Sequence, residues 1–180
     1  MKQFVRQVED DLQTDLEDTT KIWEDEANRL KEEYHQLEDV VDNYIQHYPP
    51  QQRETIQDYK ERFSIALSQK QKKYDDAQAR YRLRQDLLGV EVVSEDLDRI
   101  LPDNITATYQ KFVNTVVQNK EVYTPRDWEL IQGWWTALNT RKSQLQDQLR
   151  PADELAIAQK QSEFQELIKT QNIASPKPAI

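Results

Sequence analysis

The chain has 180 residues, of which 37% are hydrophobic and 32% charged, and it carries a net charge of −9. Two glycines and seven prolines leave few tight turns, which excludes sandwiches, barrels and doubly wound sheets, and the absence of cysteine excludes disulfides and thiolate metal sites. So polar a composition suits long helices with one buried stripe and a wide solvated face.

The charge is unevenly placed. Residues 1–48 hold 14 Asp/Glu and 5 Lys/Arg, a net −9, while the rest of the chain has 19 of each and is neutral. An acidic N-terminal arm argues against nucleic acid and against anionic lipid, both of which select clustered Lys and Arg. No apolar run approaches the ~20 residues that span a bilayer. The start, MKQFVRQVEDDL, lacks the apolar stretch of a signal peptide. The expected location is therefore the cytoplasm, or the periplasm or cell envelope where a signal has been removed.

The first segment, about residues 2–47, reads as one long helix with Val5, Val8, Leu12, Leu16, Trp23, Ala27, Leu30, Tyr34, Leu37, Val41, Tyr44 and Tyr48 along one stripe. The steps are mostly three and four, with Thr19 or Thr20 where one apolar residue is missing. HYPPQQRE then breaks the helix, because proline restricts the residue before it and suits a first helical turn. A second long helix is expected over about 50–88, with Ile56, Tyr59, Phe63, Ala66/Leu67, Tyr74, Ala77, Tyr81 and Leu88 inward and Gly89 as its stop. The tight break predicts an antiparallel hairpin over 2–88 in which partner numbers sum to roughly 98. That register sets Trp23 near Tyr74, Tyr34 near Phe63 and Leu16 near Tyr81, and it places acid against base: WEDE (23–26) faces QKK (71–73), and Asp15, Glu17 and Asp18 face Arg80, Arg82 and Arg84.

Residues 89–102 form a connector, with SEDLDRIL as a short helix capped by Ser94. Three shorter helices are expected over 103–171. The first, about 103–120, turns Ile105, Tyr109, Phe112, Val113, Val116 and Val117 inward. The second starts with Thr124 as N-cap, Pro125 in the first helical position and Asp127 in the first turn, and runs to about 149. The third runs from Pro151 to about 171, and residues 173–180 are expected to be a disordered tail.

An internal echo recurs at a spacing of 101. Leu30, Tyr34, Leu37, Tyr48, Pro50, Ile56, Phe63 and Leu67 answer to Ile131, Trp135, Leu138, Leu149, Pro151, Ile157, Phe164 and Ile168. The shared unit is helix, proline break, helix.

The stretch from Tyr109 to Ile168, YQKFVNTVVQNKEVYTPRDWELIQGWWTALNTRKSQLQDQLRPADELAIAQKQSEFQELI, resembles helical proteins of Bacteroidota that carry a domain of unknown function. The elements that carry the likeness are FVNTVV, NKEVYTPRDW, the Trp135–Leu138 stretch WTAL and the proline-led last helix. The resemblance implies an all-α fold and an exported or lipid-anchored envelope protein. It implies no activity and carries over no functional residue.

Chemistry-bearing patterns are few. Glu32-x-x-His35 has the spacing that sets two ligands on one helix face in di-iron bundles, but such a site needs a second motif, and His47, with Tyr44 three residues earlier, does not supply it. There is no GxSxG elbow, no glycine-rich phosphate loop and no calcium loop. The clusters EDD and EDE read as a solvated face, since consecutive helical residues point apart. The tyrosines fall on the stripes and read as core or near-core packing. In DWELIQGWW, Trp128, Ile131 and Trp135 share one helix face with Leu138 and read as core, Trp134 lies at the flank and Gly133 at the back. Trp134 is expected to cover a neighbouring helix; otherwise Trp134, with Gly133 beside it, is the candidate partner contact.

The resulting expectation is an all-α, elongated antiparallel helical bundle over residues 1–172, built on the N-terminal hairpin with the shorter C-terminal helices packed along it. No catalytic, cofactor-binding or metal residue is assigned, and no cofactor. The first functional expectation is a non-enzymatic structural or protein-interaction bundle, a monomer or small homo-oligomer with a protein partner. The alternative is a carrier of an apolar ligand in an aromatic-lined cavity between helices, which calls for a void of several hundred Å³. A cofactor-dependent bundle enzyme is the third.

Overall fold

The computed structural model describes residues 1–13, 23–90 and 97–170. Among the described residues the protein is all-α, with six α-helices and no strand. They are α1 (Lys2–Asp10), α2 (Trp23–Asn43), α3 (Pro50–Leu88), α4 (Ile105–Asn119), α5 (Pro125–Gln144) and α6 (Pro151–Thr170). None of them is long and apolar enough to cross a membrane. The chain divides into two compact units, Met1–Tyr81 and Arg82–Ile180, so the boundary falls within α3.

In unit 1 the first segment is not one helix. α1 ends at Asp10 in a 3₁₀ turn, Asp11–Gln13, and α2 starts at Trp23. In a straight hairpin Glu9 would stand opposite residue 89, yet the Arg62 guanidinium donates to its carboxylate, Nε to Oε1 at 2.8 Å. Phe4 meets Phe63 with ring centroids 5.8 Å apart, and Lys70 Nζ reaches Asp11 Oδ2 at 3.4 Å. α1 thus runs beside α3 in the same direction. α2 runs the opposite way, because Trp23 meets Tyr74, Glu26 meets Lys70, Tyr34 meets Phe63 and Glu38 meets Lys60. These α2–α3 partners are the ones the hairpin register sets opposite. Leu16, Asp15, Glu17, Asp18, Thr19 and Thr20 lie outside the described residues.

The reason for the return of α1 is burial. Val5 and Val8 are 0% and 2% exposed and share a core with Leu30, Tyr34, Phe63 and Ala66. At the far end of a straight helix they would have no partner stripe, and each would forfeit much of the ~1.5–3 kcal/mol that burying an aliphatic side chain contributes. Lys70 is only 9% exposed, and its ammonium stands between Asp11 and Glu26 at 3.4 and 3.3 Å, so one cation joins the ends of two neighbouring elements to α3.

Unit 2 repeats the arrangement. Thr106 donates to Asp153, and Lys160 donates to Asn114, so α4 and α6 run the same way. Trp135 on Phe164 and Gln161 on Asn139 set α5 antiparallel to α6. The core gathers Ile105, Tyr109, Phe112, Val113 and Val116 of α4 with Ile131 and Leu138 of α5, Ile157 and Phe164 of α6, and Leu87 and Leu88 from the end of α3. Val117 was expected inward and is 40% exposed, because Val113 and Val116 already fill the contact stripe.

The helix ends follow local chemistry. Thr124 Oγ1 accepts from the Asp127 amide at 3.2 Å, and Asp127 Oδ2 accepts from the Thr124 amide at 2.9 Å, a reciprocal capping box with Pro125 in the first helical position. Gly89 takes φ +69° and its amide donates to the Gln85 carbonyl at 2.9 Å, as a left-handed helix stop does. Residues 97–100 are a turn rather than part of a helix, closed by the Ile100 amide on the Leu97 carbonyl at 2.8 Å; Ser94 lies outside the described residues. Leu97 and Ile100 are buried, and Arg141 of α5 donates to the carbonyls of Ile100 and Asp98 at 2.9 and 3.2 Å. A helix there would spend those carbonyls internally. α5 ends at Gln144 rather than near 149, and α2 at Asn43 rather than 47, each giving way to a 3₁₀ turn before the proline.

Those two breaks are superimposable in their internal geometry. Tyr44 and Leu145 have φ/ψ of −115°/4° and −95°/0°; Tyr48 and Leu149 have −85°/140° and −84°/141°. The His47 amide bonds to Tyr44 and the Gln148 amide to Leu145, both at 2.9 Å. The Arg53 amide bonds to Pro49 and the Glu154 amide to Arg150, both at 3.1 Å. Each pair is separated by the same 101 residues as the sequence echo, and the echo extends to a third helix in each unit.

Candidate binding groove

The residues of DWELIQGWW are distributed around α5. Trp128 and Ile131 are buried in the core of unit 2. Gly133 faces outward, and a Cβ built on it would meet nothing within 4 Å. Trp134 packs at the flank of the core with the Arg84 guanidinium over its ring, 5.5 Å from the centroid, a cation–π contact with the end of α3. Trp134 thus packs against the end of α3, as the favoured reading expects, while the Gly133 position beside it stays open.

Trp135 departs from the core assignment. It is half-buried, stacked on Phe164 with centroids 4.1 Å apart and planes at 25°, and it forms a wall of a groove between α5 and α6. The groove holds about 240 Å³, and Phe164 and Ile168 complete its apolar surface. Gln132, Thr136, Gln165 and Lys169 supply polar groups. Gln132 is only 9% exposed, yet its side-chain amide makes no hydrogen bond among the described residues. The polar atoms of that amide open to the groove rather than being sealed in the core. The Thr136 hydroxyl, by contrast, is engaged, donating to the Gln132 carbonyl at 2.9 Å.

Behind the groove a polar knot holds the three helices of unit 2 together. Asn139 Oδ1 accepts from the Tyr109 hydroxyl at 2.7 Å and from Gln161 Nε2 at 2.6 Å, while Asn139 Nδ2 donates to the Trp135 carbonyl at 2.8 Å. Burial pushes the Tyr109 phenol well above its ordinary range, since the phenolate would be desolvated, and the hydrogen bond from Gln161 opposes this in part. The knot fixes Trp135 from its backbone side.

Unit 1 differs at the equivalent place. Tyr34 answers to Trp135, is 6% exposed, and lies flat on Phe63 at 3.9 Å. The groove between α2 and α3 lies nearer Trp23, holds about 350 Å³, and is lined with polar groups such as Glu24, Lys31 and Asp75.

The remaining sequence candidates are dispersed. His35 is exposed and its Nδ1 lies 3.3 Å from Glu38 Oε2, not against Glu32. Among the described residues no three His, Cys, Asp or Glu gather into a group that could hold a metal ion. Glu26 is held below the ordinary carboxylate range by the hydrogen bond from Arg29 and by Lys70, and Glu9 by its bond from Arg62. These groups belong to structural ion pairs.

Gln132 was missed by the sequence reading, although the signal was present. It stands four residues after Trp128 and three before Trp135, a polar residue on the apolar stripe. No family model, curated protein or solved structure matches the chain.

Proposed function

We propose that this chain is a non-enzymatic helical bundle of the bacterial cell envelope that acts by holding a protein partner. The observation that carries the reading is repetition: a helix, proline break, helix unit recurs 101 residues on, with similar break geometry in each. Repeating a unit in one chain multiplies the surfaces offered to partners and raises effective concentration without new chemistry. The resemblance of residues 109–168 to exported helical proteins of Bacteroidota supports the envelope location. Protein interaction is tested by placing a photo-crosslinking residue at position 133, on the open side of α5, and at Leu155, an exposed residue of α6. A discrete adduct in cells of the source organism is expected from at least one position, with the chain in the envelope fraction. Abundant chain that gives no adduct at either position would overturn it.

A second reading, a carrier of an apolar ligand between helices, is favoured by one observation: the groove walled by Trp135, Phe164 and Ile168. Its volume, about 240 Å³, lies below the roughly 300–1,000 Å³ of pockets for drug-sized ligands, so the ligand would be small.

A further inference from the structure

We propose that the α5–α6 groove of unit 2 binds a small apolar monocarboxylic acid, its hydrocarbon body against Trp135, Phe164 and Ile168 and its carboxylate between Gln132 and Lys169. The inference rests on the second reading above and names the ligand class. Three observations carry it.

The first is the unpaired amide. Gln132 is nine-tenths buried, lines the groove, and has no partner for its side chain among the described residues. Its polar atoms are not sealed in the core but open to the groove, so the amide is free to donate to a ligand seated there.

The second is charge. The chain carries a net −9, yet the groove lining contains no Asp or Glu and one Lys. Lys169 makes no ion pair among the described residues, whereas Lys160, nine residues earlier on the same helix, is paired with Glu163 at 2.7 Å. The side chains with free hydrogens to give are the Gln132 and Gln165 amides, the Trp135 indole N–H and the Lys169 ammonium, and none of the four donates to any described residue. Four donors, one of them cationic, beside an apolar wall match an anionic acceptor attached to a hydrocarbon body.

The third is divergence between the repeats. At the positions 101 residues earlier, Gln132, Trp135 and Lys169 are replaced by Lys31, Tyr34 and Ser68. There Tyr34 closes down on Phe63, whereas Trp135 stays half-exposed on Phe164. The shared packing does not need an open wall, so the opening in unit 2 is a property of its own residues.

The test uses the full chain with octanoate, octan-1-ol as its neutral counterpart, and N-acetyl-alanyl-leucine as the same carboxylate on a peptide. Binding is read by calorimetry and by the indole N–H signals of the four tryptophans. Octanoate is expected to shift one indole signal, that of Trp135, and to bind more tightly than the other two. Gln132→Leu and Lys169→Met are each expected to weaken octanoate by about tenfold while leaving the thermal melt in place. Lys169 is exposed, so its variant keeps the test sound if Gln132→Leu perturbs folding. Equal binding of octan-1-ol would overturn the carboxylate proposal and leave the apolar-carrier reading standing. Tighter binding of the dipeptide would overturn a free acid as occupant. No binding of any of the three would sink the proposal and the carrier reading together.

Discussion

The ring of Tyr34 lies flat on the ring of Phe63, with centroids 3.9 Å apart and planes 1° from parallel. The same relation recurs 101 residues later, where Trp135 stacks on Phe164 at 4.1 Å. Each stack joins the second helix of a unit to the third, with Phe63 and Phe164 buried in the core and Trp135 at its edge beside the groove.

Phe63→Ala and Phe164→Ala are therefore expected to cost ~3–5 kcal/mol each. Trp135→Ala should cost less, ~1.5–3 kcal/mol, because one side of its ring already faces the groove. Urea unfolding of the three variants checks the order, and a Trp135 cost equal to that of Phe164 would mean that the ring is fully enclosed.

The two glycines call for opposite outcomes. Gly133 has open space around its missing Cβ, so Gly133→Ala should raise stability by ~0.5–1 kcal/mol through helix propensity. Gly89 sits at φ +69°, and a Cβ there would run into the Lys111 side chain, so Gly89→Ala should lower stability by ~1–2 kcal/mol. Calorimetric Tm values moving in the same direction would contradict this account.

The folded-back α1 is tested by Val5→Ala. The side chain is fully buried against α2 and α3, and losing two methyl groups should cost ~1–3 kcal/mol. A helix projecting beyond its partners would tolerate the change with no shift in the denaturant midpoint.

Asn139→Leu removes the acceptor shared by Tyr109 and Gln161. The buried Tyr109 hydroxyl then loses the group it donates to, at a cost of ~1–3 kcal/mol. Tyr109→Phe in the same background should recover part of that loss, and a double-mutant cycle measures how much.

Acid should weaken unit 1. The bond from Arg62 to Glu9, and those from Arg29 and then Lys70 to Glu26, hold both carboxyls below their ordinary 4.5. A depressed folded pKa means stability that is present above the unfolded value and is lost as pH falls through the folded one. The Tm is expected to hold from neutrality to about pH 5 and to fall below the ordinary carboxylate range. Glu9→Gln together with Glu26→Gln should flatten that fall.

The helices were legible in the sequence because their causes are local. The step of three and four, Pro50 and Pro151 at the breaks, the Thr124–Asp127 cap and the stop at Gly89 each act within a turn or two of chain. The 101-residue echo was legible for the same reason, and it pointed to two breaks whose dihedral angles agree. What the sequence could not settle is where a stripe finds its partner. Val5 and Val8 continue the period of α2, and a helix period is equally satisfied by one straight rod or by two helices packed side by side; only the cost of leaving those valines bare selects the return of α1 onto α3. Likewise Trp135 and Gln132 occupy core-facing positions on α5, but the approach of α6 decided that the ring would stand half-open and the Gln132 amide would open to a groove. Periodicity fixes a side chain's direction relative to its own helix axis, and the neighbouring helix determines what lies in that direction.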